Sequence, residues 1–384
     1  MSPSSRHYEH QLRGRLTGGA GWQRSLAETL RIDPLLMGLL VGLSLFGFFV
    51  LYSGSGQNFD TVERHGVRLV VGFAVMLIFA QIPPWMYRRW APWLFGIGII
   101  LLILVITTGT SAKGAKRWLA IGGLPRFQPS EIMKLIVPMS VAWYLSDKRC
   151  PPTWKPVLMA FVLLAIPTLL IAKQPDLGTS LLVASAGFFV LFFAGLSWRF
   201  LMGLAALAPP AAGILWMLMR DYQKQRVKTL FNPEADPLGA GWNIIQSKTA
   251  IGSGGWSGKG WLEGTQSQLE FLPESSTDFI IAVLAEEFGF VGCFVLLAWY
   301  VAIIWRGLTI AAQAHDTFSR LFCASIIMTF FVYIFVNIGM VSGLLPVVGV
   351  PLPLISYGGT SVVTLLAGFG IVMSVHSHKT LVRK

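Results

Sequence analysis

The sequence predicts an all-α polytopic membrane protein, with ten transmembrane helices and a large extracytoplasmic loop between helices 7 and 8. Three observations predict it. Only 12% of the 384 residues are charged and 54% are hydrophobic, whereas a soluble domain carries about 25% charged residues. Apolar runs of 18 residues or more recur along the chain, long enough to cross a bilayer. Lys and Arg are spread unevenly over the connections between those runs, as topology demands. The net charge of +12 follows in part from basic cytoplasmic loops, so it does not indicate a nucleic-acid partner. Three cysteines, Cys150, Cys293 and Cys323, form no CxxC pair and read as small apolar residues, with no disulfide framework and no zinc site.

Residues 1–33 are polar and carry five Arg. No small-residue cleavage site follows the first apolar run, which reads as an uncleaved signal anchor behind an amino-terminal cytoplasmic tail. The expected spans are 34–53, 68–85, 92–109, 129–147, 156–173, 178–196, 199–219, 279–305, 319–343 and 361–377. They form one membrane domain over 34–377, and 378–384 is a second cytoplasmic tail. The fourth span contains Glu131 and Lys134. Without it the Arg88–Arg89 and Lys148–Arg149 connections would fall on opposite sides. With the amino terminus inside, the inner segments hold sixteen Lys and Arg against seven outside, the long seventh connection set apart. That bias places both termini in the cytoplasm.

Two outer connections run against the bias. The third, 111–128, carries Lys113, Lys116, Arg117 and Arg126. The seventh, 220–278, carries Arg220, Lys224, Arg226, Lys228, Lys248 and Lys259. They read either as solvated loop charge or as a basic floor for an anionic group such as a diphosphate. The seventh is too long for a mere link; residues 241–251 can form a short amphipathic helix on the surface, with Trp242, Trp256 and Trp261 suited to the interface. The ninth connection, 343–361, has no charge and three prolines. It is expected to re-enter the membrane, its backbone satisfied by neighbouring helices.

Several chemistries are excluded. GSGGWSGKG is no phosphate loop, because Lys259 is followed by Gly260 and Ser253 stands where a Gly is needed. There is no HExxH, no evident Ser–His–Asp set, and His376 and His378 lie in a basic tail. Intramembrane charges persist only with a purpose or a partner, since each costs roughly 2.5–3.5 kcal/mol at mid-bilayer on insertion scales. Glu131 and Lys134, three apart, can pair on one helix face or position a substrate. Pro175 and Asp176 suit the first turn of the sixth span, with Lys173 close enough to pair; a functional role stays open beside that. In EFLPESSTDFIIAVLAEE (270–287), Ser275, Ser276 and Thr277 are candidate caps. Asp278 then falls in the first turn of the eighth span, as dipole partner or as chemistry. Glu286 lies about 12 Å deeper.

The chain resembles the SEDS family of bacterial wall-building membrane proteins, and within it the rod-shape branch. The carriers are KRWLAIGGLPRFQPSEIMKL (116–135), QPDLGTS (174–180), DPLGAGWNIIQSKTAIGSGG (236–255), GTQSQLEFLPESSTDFIIAVLAEEFGFVG (264–292), FVNIGMVSGLLPVVGVPLPLISYGG (335–359) and AGFGIVMS (367–374). They span nearly the whole chain. The resemblance implies an inner-membrane glycosyltransferase that polymerises lipid II into glycan strands at the outer face during cell elongation. It implies as partners a class B penicillin-binding transpeptidase, other elongation-complex membrane proteins and membrane lipid, and no nucleic acid. It makes Asp278 the essential acid. An α-linked diphosphate becoming a β-1,4 bond needs a general base on the acceptor hydroxyl, the role expected of Asp278, and positive charge on the leaving diphosphate, the role expected of Lys113, Lys116, Arg117 and Arg126. Glu131, Lys134 and Asp176 are second-rank binding candidates. A divalent cation, Mg or Mn, could share the work, although the sequence shows no cage for one. The rival readings are a lipid II flippase and a scaffold that only recruits the transpeptidase.

Overall fold

The computed structural model describes residues 31–112, 115–119, 127–219, 221–235, 240–268 and 274–382. Among these, ten long helices appear where the ten spans were expected: α1 Pro34–Gly54, α2 Phe59–Gln81, α3 Pro84–Thr108, α4 Pro129–Ser146, α5 Trp154–Lys173, α6 Leu177–Phe193, α7 Trp198–Leu218, α11 Ile280–Ala312, α12 Thr317–Val341 and α13 Gly359–Val382. Six of them are long and apolar enough to cross a membrane by length and composition, and α6 is a shorter apolar helix. The helix α2 starts well before residue 68, because its first turns carry Asp60, Glu63, Arg64 and Arg68, which hide helix from a hydropathy reading. Between α3 and α4 a short antiparallel hairpin forms from β1 Thr110–Ala112 and β2 Ala115–Trp118. The seventh connection holds α8 Asp221–Phe231, a 3-10 turn at Pro233–Ala235, α9 Ala240–Ser253 and α10 Thr265–Gln268.

Polar contacts gather the connections at two opposite ends, as alternating crossings require. At one end, Arg31 donates to the Gln81 carbonyl at 2.7 Å and to His378 at 3.2 Å, and Arg88 meets Asp147 at 2.5 Å. The last contact puts the Arg88 and Lys148 connections on one side, which the charged α4 span was needed to achieve. At the other end, Ser275 donates to the Gly54 carbonyl at 2.6 Å and Gln128 to Asp176 at 2.7 Å.

Asp33 ties the first end together. It caps α1 through the Leu36 amide at 2.8 Å and receives Arg306 of α11 at 3.0 and 2.5 Å. His376 of α13 lies 3.4 Å away. Burial pushes the Asp33 carboxyl up, but the hydrogen bonds from Arg306 and Leu36 and the nearby positive charge outweigh it and hold it below its ordinary 3.8. A depressed carboxylate contributes stability above its unfolded value that is lost as pH falls through the folded one. Asp33→Asn keeps the cap acceptor and removes the charge. It is expected to cost about 1–2 kcal/mol near neutrality, and the gap in thermal midpoint between parent and variant should close below about pH 4.

The central helix is α12, which packs on α4, α6, α11 and α13 and buries Phe318, Phe322, Phe330, Tyr333 and Met340. Its opposite is α7, which exposes Trp198, Met202, Leu207, Ile214 and Met217, a face suited to lipid. The uncharged segment 343–358 runs into the bundle, burying Val350, Leu352, Leu354 and Ile355. Its backbone finds partners there: Tyr300 donates to the Pro353 carbonyl at 2.8 Å, Asn337 to Val350 at 2.7 Å, and the Ser356 hydroxyl accepts from the Leu352 amide at 2.8 Å.

The expected surface helix at 241–251 exists as α9, but it docks on the protein. Ile244, Ser247 and Ala250 are buried, and Ser247 donates to the Val341 carbonyl at 2.8 Å. Beyond α9 the Gly-rich segment explains itself. α11 is broken at Gly289, whose φ of 63° and ψ of −158° lie in a region open essentially to glycine alone. The backbone groups around the break are taken up by the outer segment. Phe290 and Val291 donate to the Gly255 and Trp256 carbonyls, and the Lys259 and Gly260 amides donate to Glu286 and Glu287. The Lys259 ammonium then reaches Glu286 at 2.7 Å. GSGGWSGKG is thus a backbone splint for a kinked helix.

Candidate active site

Three helices open on one cavity of about 190 Å³. Gln128, Pro129 and Glu131 begin α4, Asp176 and Thr179 begin α6, and Gly359, Thr360 and Ser361 begin α13. Gln128, Glu131, Asp176, Thr179 and residues 359–361 line the space, with Arg117 and Trp118 from β2, Lys134, Tyr333 from α12, and Gly349, Val350 and Pro351 from the inward segment.

Lys134 and Asp176 are each held from more than one element. Lys134 and Glu131 are 2.6 Å apart and nearly fully buried, one helical turn apart on α4. Lys134 also donates to the Tyr333 hydroxyl and lies 4.9 Å from the centre of that ring. Among the described residues the second Glu131 oxygen has no hydrogen-bond partner. Asp176 caps α6 through the Thr179 amide at 3.2 Å and accepts from Gln128 at 2.7 Å. Its cationic neighbour is Arg117, at 3.8 Å, rather than Lys173; Arg117 is brought across by the hairpin and donates to the Pro175 carbonyl. Asp176 is the cap itself, one residue before the helix.

The two cations and two carboxylates cancel. What remains is the partial positive charge of three helix amino termini directed at one space, an arrangement that favours an anion. Among the described residues no three His, Cys, Asp or Glu side chains converge to hold a metal. Glu131 and Asp176, the carboxylates in the cavity wall, each already face a cation.

Asp278 does not lie in the first turn of α11. The helix starts at Ile280, its cap is Phe279 with no side-chain hydrogen bond, and Ser275, Ser276 and Thr277 do not cap it. Ser275 instead ties to α1, and Thr277 donates to Glu274 at 2.7 Å. Freed from the helix, Asp278 occupies a turn at the cavity's edge. Its Oδ2 lies 3.5 Å from where a Cβ on Gly349 would stand, and Gly349 is part of the wall. With φ at +77°, Gly349 both permits the turn and leaves room for the carboxylate.

The cavity therefore brings together Arg117, Glu131, Lys134 and Asp176, with Asp278 across Gly349. Lys113 and Arg126 lie outside the described residues. Lys116 sits on β2 opposite Ser111, and its side chain is likewise outside them. Sequence reasoning missed Tyr333, Gln128, Thr179 and Asn337. A signal existed for Tyr333 and Asn337, polar groups inside an apolar span. Glu286 and Glu287 act as expected of buried acids needing partners: Glu287 accepts from Ser53 of α1, and Glu286 from Lys259, Thr265 and the Gln266 amide.

Comparison with known proteins gives consistent relatives. A family model for FtsW, RodA and SpoVE, described as cell cycle protein, matches residues 31–381. The peptidoglycan glycosyltransferase MrdB of Escherichia coli is 54% identical over 363 residues, covering 94% of this chain and 98% of the relative. A probable peptidoglycan glycosyltransferase FtsW of Geobacter metallireducens is 36% identical over 366 residues, 91% of this chain and 96% of that one. Among solved structures, a chain of a peptidoglycan synthase complex that coordinates polymerization and crosslinking superposes with a TM-score of 0.79 at 31% identity, covering 91% of this chain and 98% of that one. The rod shape determining protein RodA of Thermus thermophilus superposes with a TM-score of 0.67 at 30% identity, covering 90% and 96%.

Proposed function

The chain belongs to the SEDS family of FtsW, RodA and SpoVE cell cycle proteins, and from that membership we propose that it is an inverting peptidoglycan glycosyltransferase of the rod-shape branch. It is a multi-pass inner-membrane protein and polymerises lipid II into β-1,4-linked strands, releasing undecaprenyl diphosphate. The observation that carries this reading is the cavity on which three helix amino termini, Arg117 and Lys134 converge beside Asp278. At about 190 Å³ it is smaller than the roughly 300–1,000 Å³ of a pocket for a whole small molecule. It suits the diphosphate at the head of the lipid, with the sugars outside.

Asp278 takes the proton of the acceptor 4-hydroxyl as that oxygen attacks the anomeric carbon. The bond from that carbon to the diphosphate breaks on the opposite face, and the electron pair leaves with the phosphate. Arg117, Lys134 and the helix termini are fixed before the reaction, so they stabilise the departing charge without reorganising. The buried Glu131 orients Lys134, and Asp176 orients Arg117. The excess of Lys and Arg on the connections at one end supports cytoplasmic termini and an outer-face site. A class B penicillin-binding transpeptidase is the proposed partner, and the similarity to a chain of a peptidoglycan synthase complex supports it. A divalent cation on the diphosphate is compatible with the site; the chain itself supplies cationic groups there.

The test is polymerisation of purified lipid II by the detergent-solubilised chain. Glycan strands are the expected product. A flippase needs two compartments and would yield none.

A further inference from the structure

Asn337 sits in the last third of α12 and is completely buried. An amide in such a place is costly unless its hydrogen bonds are made. Both hydrogens of its nitrogen are used, one on the Asp278 carbonyl at 2.8 Å and one on the Val350 carbonyl at 2.7 Å. The opposite amide orientation would set its oxygen against two carbonyls, so the network itself fixes which atom is nitrogen. The two acceptors belong to different segments. Asp278 lies on the turn that leads into α11. Val350 follows Gly349, the residue against which the Asp278 carboxylate rests.

The start of that turn is held by Ser275 on the Gly54 carbonyl at 2.6 Å, Thr277 on Glu274 and the Tyr357 amide on the Ser276 carbonyl at 2.8 Å. The cap of α11 makes no side-chain hydrogen bond, and Glu274 at the start of the turn has a φ of 57°. At Asp278 itself, one side chain from the central helix bonds to both segments and joins the acid's own carbonyl to the cavity wall. We propose that Asn337 is a positioning residue for glycosyl transfer, clamping the Asp278 turn to the Gly349–Val350 wall so that the carboxylate meets the acceptor hydroxyl. The proposal rests on the reading of Asp278 as the general base.

The experiment compares the full chain with N337D and N337Q in detergent, measuring lipid II polymerisation and the number of lipid II binding sites per chain. N337D has the same shape but turns both donors into a carboxylate facing two carbonyls. Its kcat should fall about a hundredfold, the scale of an ångström of misplacement, with KM and the number of binding sites unchanged. N337Q keeps both amide hydrogens one methylene further out and should recover part of the rate. It carries the test alone if N337D does not fold. A kcat within about twofold of the parent in a folded N337D or N337Q overturns the proposal. So does a loss of rate matched by an equal loss of binding sites, which would mean that the side chain only stabilises the fold. A parent chain that makes no polymer would instead overturn the functional reading, and this proposal with it.

Discussion

Asp278→Asn should lower lipid II polymerisation by about a thousandfold, within the range removed with a general base. Folding should survive. The substitution is isosteric, and the backbone carbonyl that Asn337 holds is untouched. The check is quantified glycan product beside an unchanged thermal midpoint and unchanged recruitment of the transpeptidase. A scaffold would be indifferent to the change. A variant that polymerises at the parent's rate would remove Asp278 from the chemistry.

Lys134→Met should have the second-largest effect, and on two properties at once. It leaves Glu131 charged and buried without its partner, a loss of about 3–5 kcal/mol. Pairing it with Glu131→Gln takes away the orphaned charge, and the double variant should regain most of that stability. Polymerisation should not return with it. With Lys134 gone, the leaving diphosphate loses a fixed cation, and the rate should stay down about a hundredfold or more. Thermal midpoints and polymerisation rates of the two variants separate the possibilities the sequence left open. If the double variant is both stable and active, the pair is an internal ion pair and nothing more.

Much of the fold was legible because hydropathy and charge report the same thing the bilayer imposes. Each of the ten spans is a helix, and α4 was identified correctly despite Glu131 and Lys134, because the Arg88 and Lys148 connections had to share a side. What the sequence hid depends on long-range contacts. Nothing local in FGFVG marks Gly289 as a break, since the segment that heals it lies some thirty residues upstream. The partner of Asp176 could not be read from spacing, because Arg117 arrives by a hairpin 59 residues away, while Lys173 is near in sequence. The position of Asp278 was misjudged by about half a turn. Its flanking Ser and Thr look like caps, but they bond to α1 and to Glu274, and the acid precedes the first helical residue, Ile280, by two positions.

The candidate site was legible as a set of charges and illegible as a place. Arg117, Glu131, Lys134 and Asp176 were each singled out, yet nothing in the sequence put them around one cavity. That convergence comes from three helices starting at a common level, with the uncharged 343–358 segment folded inward to close the wall. Asn337 stood inside one of the motifs that carry the family resemblance, but its two acceptors, 59 and 13 residues away, are visible only in three dimensions.

The most direct measurement is a structure of the chain with a lipid II substrate analogue bound. The diphosphate should lie in the cavity between α4, α6 and α13, within hydrogen-bonding reach, about 3 Å, of Arg117 and Lys134, with a sugar hydroxyl directed at the Asp278 carboxylate. A diphosphate bound elsewhere on the outer face, with the cavity left to water and Asp278 remote from any sugar hydroxyl, would contradict the assignment of this cavity as the catalytic site.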